Sequence, residues 1–83
     1  MKHITLYTWP HCPFCRKAKR LLDDKGYPYN EINIYGNNAK KQELTNMTGQ
    51  TTVPYIFIGD KLLGGSDELD DAMATVKFSG MVE

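Results

Sequence analysis

Cysteine, histidine and net charge are all scarce in this sequence. Its 83 residues include two cysteines, two histidines and one tryptophan, and ten basic side chains balance ten acidic ones. Because neither sign forms a long block, nucleic acids and membrane surfaces are not expected partners. No apolar run is long enough to cross a bilayer, and the first residues lack the apolar stretch of a signal peptide. These absences predict a cytoplasmic protein.

The length predicts one domain over residues 1–83. The first part of this domain has a strand–helix–strand pattern. Apolar and polar residues alternate from Ile4 to Thr8, as in a strand. A helix is predicted from about Pro13 to Lys25, ended by Gly26 in a left-handed conformation. A second strand from Tyr29 to Ile34 should pair in parallel with the first. The predicted apolar face of the helix comprises Phe14, Ala18, Leu21, Leu22 and Lys25.

The next part of the sequence predicts a second helix and a hairpin. Asn37 or Asn38 can cap the helix and Gly49 can end it; its thin apolar face comprises Ala39, Leu44 and Met47. The apolar run from Val53 to Ile58 predicts a strand, and Gly59-Asp60 predicts the turn into a short strand over residues 61–63.

The final segment predicts one helix that begins at Ser66. Ser66 is expected to be its cap, with Asp67 and Glu68 in the first turn, and its predicted buried stripe comprises Leu69, Met73 and Val76. The resulting order is β-α-β-α-β-β-α. Since the third strand is apolar on both faces, helices should cover both sides of the sheet of this α/β protein.

Both cysteines lie in one motif, Cys12-Pro13-Phe14-Cys15. Half of a zinc site is one interpretation, but four ligands are needed and there is no second cysteine pair. Two unrelated buried thiols are another. A redox pair is favoured, because the motif lies within a strand–helix–strand pattern, and residues three apart on a helix approach closely enough for a disulfide.

The position of each cysteine predicts its role. Cys12 precedes the first helical N–H groups, which lack partners within the helix and favour the thiolate form. Cys15 lies inside the first turn, further from solvent. Cys12 is therefore the predicted nucleophile and Cys15 the predicted resolving thiol.

Three motifs follow one another along the chain: Tyr7-Thr8 leading into Cys12-Pro13-Phe14-Cys15, then Thr52-Val53-Pro54, then Gly64-Gly65-Ser66-Asp67. With them the sequence resembles a dithiol glutaredoxin of the short bacterial type over nearly its whole length. The first motif is close to the Cys-Pro-Tyr-Cys of that family, the second is similar to its Thr-Val-Pro, whose proline is cis, and the third is similar to its Gly-Gly-(Cys)-Asp/Ser stretch. The resemblance implies a thioredoxin-like fold, in which a four-stranded mixed sheet is flanked by three helices.

The resemblance also implies glutathione as reductant and co-substrate, with no metal. An extended Thr52-Val53 backbone would pair with the cysteinyl part of glutathione, as a peptide pairs with a sheet edge. Ser66 would lie at a helix start that accepts the γ-glutamyl carboxylate, and Asp67 would face the ammonium of that group. The complete predicted glutathione-binding set comprises Phe14, Lys41, Thr52, Val53, Pro54, Gly65, Ser66 and Asp67.

Within this set, Lys41 would meet the glycyl carboxylate and exposed Phe14 would help to dock the substrate. The alternatives are a plain surface lysine at position 41, an ordinary trans Pro54, and a purely capping role for Ser66 and Asp67. Trp9 departs from the family, because many relatives carry a lysine at this position that would help to stabilise the Cys12 thiolate.

The expected function is glutathione-dependent reduction of glutathione mixed disulfides and protein disulfides by a monomeric electron-transport enzyme. By family analogy, ribonucleotide reductase is a candidate client. One alternative is an electron donor reduced by thioredoxin reductase, although residues 63–67 lack the Trp-Ser-Gly-Phe-Arg-Pro type segment of such relatives. The other is an iron–sulfur carrier with glutathione as co-ligand, which Pro13 disfavours by stiffening the loop.

Overall fold

The computed structural model describes residues 2–75 and 77–82, which form four strands and four helices. Their bounds are β1 Ile4–Thr8, α1 Pro13–Asp24, β2 Asn30–Asn33, α2 Asn38–Thr48, β3 Tyr55–Ile58, β4 Lys61–Gly64, α3 Ser66–Met73 and α4 Lys77–Val82. None of these helices is long and apolar enough to span a bilayer, in the part of the chain described.

The sheet is mixed, with strand order β2-β1-β3-β4. β1 and β2 are parallel, which confirms the predicted strand–helix–strand unit. β3 is antiparallel to both β1 and β4. The central pair joins distant parts of the chain, because Ile4 lies opposite Ile58.

Helices cover both faces of the sheet, as the doubly apolar β3 predicts. Alternate strand residues point to opposite faces. On one face, Ile56 and Ile58 pack with residues of β1, α1, α3 and α4. On the other face, Tyr55 and Phe57 pack with Leu44 of α2 and with Cys15.

A polar network ties α1 to the strand pair β1–β2. The Thr8 hydroxyl donates a hydrogen bond of 2.7 Å to Glu31 of β2, and Lys19 of α1 lies 3.0 Å from the same carboxylate. The Thr8 hydrogen bond, followed by Lys19, holds the pKa of Glu31 below its usual value. This network holds the C-terminal end of β1, from which the loop to the cysteine motif departs, against β2 and α1.

Two helix faces differ from prediction. In α1 the buried residues are Cys15, Ala18 and Leu22, whereas Phe14 is 56% exposed and Lys25 lies just beyond the helix. Burial of Cys15 turns the adjacent Phe14 towards solvent, which agrees with its predicted docking position. In α2 only Leu44 is buried; Ala39 and Met47 are exposed, because this helix touches the sheet along a narrow strip. The predicted Asn37 cap and left-handed Gly49 are both confirmed.

The predicted last helix is interrupted. α3 ends at Met73, and the Lys77 N–H at the start of α4 donates to the Thr75 hydroxyl at 3.2 Å. The break lets Phe78 and Val82 of α4 reach the core; Val76, predicted in the same stripe, lies outside the described residues. Ser66 is also not the cap: Gly65 takes that position without a side-chain hydrogen bond, and Ser66 is the buried first helical residue.

Candidate active site

Cys12 lies at the N-terminal end of α1 and is its N-cap residue. Its backbone is extended (φ −95°, ψ 117°), and Pro13 occupies the first helical position, where a missing N–H costs nothing. The Cys12 Sγ accepts a hydrogen bond of 3.3 Å from the Cys15 backbone N–H. The sulfur therefore lies at the N-terminal end of α1, the positive end of the helix dipole. Cys12 is half-buried, in contrast to the fully buried Cys15.

Cys15 lies one turn into α1 and is buried. Only 1% of its surface is exposed, and it packs with Ile34, Leu44 and Tyr55. The pKa of the Cys15 thiol is raised from 9.0 to about 12, chiefly by burial. A hydrogen bond to the Trp9 backbone acts in the opposite direction, and the adjacent Cys12 contributes to the rise. The two cysteines therefore occupy different environments, as their positions in the motif predict.

This pKa shift makes stability depend on pH. The buried Cys15 thiol binds its proton more tightly in the folded protein than in the unfolded chain, so its contribution to stability is complete below pH 9 and is lost towards pH 12. We expect the free energy of unfolding of the reduced protein to fall more steeply than that of Cys15→Ser as the pH rises from about 8 to about 10.5.

Urea unfolding under reducing conditions measures this difference. Cys12→Ser is the matched control and should keep most of the steep fall, since burial is the largest cause of the shift. Parallel curves for the wild type and Cys15→Ser would show that Cys15 is not protected from ionisation in the folded protein.

A groove of about 290 Å³ lies beside the cysteine motif. It is lined by Phe14, Gln50, Thr52, Val53, Pro54, Gly65, Ser66, Asp67 and Glu68. The loop before β3 and the start of α3 thus meet at one groove, which contains every predicted glutathione contact except Lys41. The Val53–Pro54 peptide bond is cis, as the family resemblance implies.

Lys41 lies outside the lining of this groove. Its Nζ donates a hydrogen bond of 2.5 Å to the carbonyl oxygen of Thr51 and stands 5.5 Å from the centre of the Tyr55 ring. Lys41 therefore braces the loop that forms one wall of the groove.

Asp67 is at the exposed end of the groove. Lys17 of α1 lies 3.8 Å from the Asp67 carboxylate and 3.5 Å from that of Asp70. This pairing connects α1 to the start of α3 on the surface. It also places one cation and one anion at the same end of the groove.

Gln50 is a groove residue that the sequence did not single out. Its side-chain amide donates to the carbonyl oxygens of Thr52 and Pro54, at 2.7 Å and 2.8 Å. The backbone carbonyl oxygen of Gln50 accepts a 2.9 Å hydrogen bond from the Tyr55 hydroxyl. The same hydroxyl lies 3.1 Å from the Thr45 hydroxyl. The only sequence signal was a polar residue between a helix-ending glycine and the Thr-Val-Pro motif.

The last residue of β4 approaches the first turn of α3 so closely that only glycine fits there. Gly64 has a φ of +134°, and a Cβ at this position would lie 2.7 Å from the Glu68 side chain. A larger residue would displace Glu68, which itself lines the groove. Within residues 2–75 and 77–82, no cluster of three or more histidine, cysteine or acidic residues could hold a metal ion.

Comparisons with known proteins agree with this geometry. Residues 4–63 match the family model described as Glutaredoxin. The chain is 45% identical over 69 residues to glutaredoxin 3 of Escherichia coli K12, covering 83% of each protein. It is 49% identical over 71 residues to the hybrid peroxiredoxin hyPrx5 of Haemophilus influenzae, covering 86% of this chain but 29% of that protein.

Structural similarity extends over nearly the whole chain. The buckwheat glutaredoxin–glutathione complex matches with a TM-score of 0.92 and 30% sequence identity, over 98% of this chain and 76% of that one. The dithiol motif at a helix N-terminus and the sequence matches lead to one conclusion. The chain belongs to the glutaredoxin family of glutathione-dependent thiol–disulfide oxidoreductases.

Proposed function

We propose that Cys12 is the nucleophile in the reduction of glutathione mixed disulfides. The Cys12 thiolate attacks the glutathione sulfur, the disulfide bond breaks, and the client leaves as a thiolate that takes up a proton. A second glutathione thiolate then attacks the Cys12–glutathione disulfide, releasing oxidised glutathione and regenerating Cys12. The observation that carries this proposal is the half-buried Cys12 sulfur at the N-cap of α1, with Cys15 buried behind it.

Protein disulfides take a second route that uses both cysteines. Cys12 forms a mixed disulfide with one client sulfur and releases the other as a thiol. Cys15 then loses its proton and attacks Cys12, which frees the client and leaves a Cys12–Cys15 disulfide. Two glutathione molecules reduce that disulfide and become oxidised glutathione. The 3.3 Å contact between the Cys15 N–H and the Cys12 sulfur supports this route, because it keeps the two residues within reach.

The groove beside Phe14 is the proposed glutathione site. Thr52 and Val53 would offer backbone groups to the cysteinyl part, with cis Pro54 behind them, and Phe14 would cover the bound tripeptide. The residues Gly65, Ser66 and Asp67 would hold the γ-glutamyl end. Their common position along one groove supports this assignment.

Two lysines take different parts in this proposal. Lys17, which already pairs with Asp67, would face the γ-glutamyl carboxylate while Asp67 faces its ammonium. Lys41 would meet the glycyl carboxylate only by leaving the Thr51 carbonyl oxygen, so its main contribution is to hold the groove wall.

The proposal extends to the setting of the reaction. Residues 1–83 would act as one glutaredoxin domain, as a monomer in the cytoplasm, where reduced glutathione is abundant. Clients would be glutathionylated or disulfide-containing proteins, with ribonucleotide reductase as a candidate. Deglutathionylation and maintenance of the cell redox balance would follow from these reactions.

Coupled recycling tests the reductant. The oxidised protein is incubated with NADPH and either glutathione plus glutathione reductase or thioredoxin reductase, with a glutathione mixed disulfide as substrate. NADPH consumption is expected only with glutathione. Turnover with thioredoxin reductase alone would replace this function by the alternative electron donor, and a visible absorbance band after anaerobic reconstitution with iron and sulfide would support a cluster carrier.

Asp67 and Asp70 provide a matched test of the groove. Both carboxylates pair with Lys17, but only Asp67 lines the groove. We expect Asp67→Asn to lower kcat/KM for a glutathione mixed disulfide by about fivefold, since an exposed ionic contact contributes at most about 1 kcal/mol. Asp70→Asn should change it less than about twofold. Equal effects of the two substitutions would remove Asp67 from the proposed site.

A further inference from the structure

An exposed aromatic pair lies on the other side of the cysteine motif from the groove. Trp9 follows β1 and Tyr35 follows β2; their ring centres are 6.2 Å apart with the planes at 82°, an edge-to-face contact. We define these two residues as the aromatic pair. Trp9 is 39% exposed and Tyr35 is 70% exposed. Tyrosine and tryptophan are enriched at protein–protein interfaces relative to the rest of the protein surface.

We infer that the aromatic pair is a specificity surface for the client part of a mixed disulfide, and that it favours clients with an uncharged apolar side chain beside the cysteine. This inference rests on the proposed function. In it, glutathione occupies the groove on the β3–α3 side and the client peptide leaves Cys12 over the β1–β2 side. The strand order β2-β1-β3-β4 separates the two binding regions across the sheet.

The backbone holds Trp9 close to the reacting sulfurs. Trp9 lies three residues before Cys12, and its backbone hydrogen-bonds to the Cys15 thiol. Its indole ring therefore belongs to the same loop as the nucleophile. A client segment that reaches Cys12 from the β1–β2 side would lie next to this loop.

Tyr35 is presented by a rigid turn. The Asn37 N–H donates to the Ile34 carbonyl oxygen at 3.0 Å, which closes a four-residue turn, and Gly36 adopts the left-handed conformation (φ +80°) that the turn needs. The Tyr35 N–H donates to the Asn33 side chain at 2.8 Å. A fixed backbone lowers the entropy lost when the tyrosine ring contacts a partner.

The two segments that carry the aromatic pair are uncharged, which bears on the chemistry of the occupant. Residues 9–14 and 32–39 contain no aspartate, glutamate, lysine or arginine. Neither segment offers an opposite charge to a charged client side chain that loses water on binding, whereas an aliphatic or aromatic side chain would bury apolar surface against the two rings. The favoured client is thus an uncharged segment with leucine, phenylalanine or a similar residue next to its cysteine.

Glutathionylated hexapeptides that differ only in the residue after the cysteine test this inference. The wild type should have a kcat/KM about tenfold higher for the leucine peptide than for the aspartate peptide, and Trp9→Ala combined with Tyr35→Ala should reduce this ratio below about twofold. The glutathione mixed disulfide of 2-mercaptoethanol is too small to reach the aromatic pair. For this substrate, the kcat/KM of the double variant should stay within about twofold of the wild-type value. Trp9→Phe should retain the preference, as should Met47→Ala, which removes an exposed apolar residue of α2.

Two outcomes separate this inference from the proposed function. If the wild type reduces the small mixed disulfide but its preference for leucine is absent or survives the double substitution, the aromatic pair is not a specificity surface. If the small mixed disulfide is not reduced, the proposed function fails. The inference is then tested by measuring peptide binding to the aromatic pair directly. Trp9 is the sole tryptophan, so the fluorescence emission of the protein reports on this ring. In the double variant Cys12→Ser, Cys15→Ser, the emission should shift to the blue when the S-methylated leucine peptide is added. The S-methylated aspartate peptide should cause no shift.

The same fluorescence sample tests whether a second copy covers the aromatic pair. Sedimentation should show no concentration-dependent association. Association that Trp9→Ala removes would assign this surface to self-assembly and overturn the inference.

Discussion

Cys12→Ser should abolish both reactions, reducing kcat/KM by at least roughly three orders of magnitude for glutathione mixed disulfides and for protein disulfides alike. A serine hydroxyl is not ionised at neutral pH and does not attack disulfide sulfur, so the first bond-forming step of both routes is lost. Both routes depend on this residue because the other thiol, Cys15, is buried.

The substitution is well matched to its structural position. Serine is a favoured N-cap residue, and its hydroxyl can accept the Cys15 N–H hydrogen bond that the sulfur accepts now. We therefore expect the free energy of unfolding to change by less than about 1 kcal/mol. Activity is measured with a coupled glutathione reductase assay, and stability by urea unfolding. Substantial activity in a folded Cys12→Ser protein would transfer the nucleophilic role to Cys15.

Cys15→Ser should separate the two reactions. Reduction of glutathione mixed disulfides is expected to stay within about threefold of the wild type, because a second glutathione resolves that intermediate. Reduction of a protein disulfide should fall by about two orders of magnitude, since the intramolecular thiol acts at a far higher effective concentration than glutathione in solution.

The buried position of Cys15 makes the trapped intermediate a direct readout. With a disulfide-containing client, Cys15→Ser should accumulate the covalent complex at Cys12, visible by mass spectrometry without reductant. The same experiment with Cys12→Ser should give no complex. Equal loss of both reactions in a folded Cys15→Ser protein would contradict the two-route mechanism, because it would show that Cys15 is also needed for the glutathione route.

Local signals predicted much of the fold. Alternation located β1, and Asn37 and Gly49 fixed the ends of α2, because capping and left-handed glycine depend on neighbouring residues. The cysteine motif with its helix start was predictable for the same reason. The family resemblance added the cis bond before Pro54.

Features that depend on distant contacts were not predictable. Periodicity placed Phe14 on the apolar face of α1, but burial of Cys15 against β3 decides which face turns inward. The break between α3 and α4 depends on how Phe78 meets the core. The role of Gln50 depends on hydrogen bonds to two backbone carbonyls of a loop whose course the sequence does not specify.

The packing of Cys15 against β3 has a consequence for the newly synthesised chain. Both cysteines leave the ribosome about 40 residues before Tyr55, and synthesis proceeds from the N-terminus at about 5–20 residues per second. Until Tyr55 and Phe57 have joined the sheet, the apolar cluster that buries Cys15 is incomplete, and its thiol is more open to oxidants than in the folded protein. The distinction between attacking and resolving thiol is thus acquired late in folding, when β1 pairs with β3.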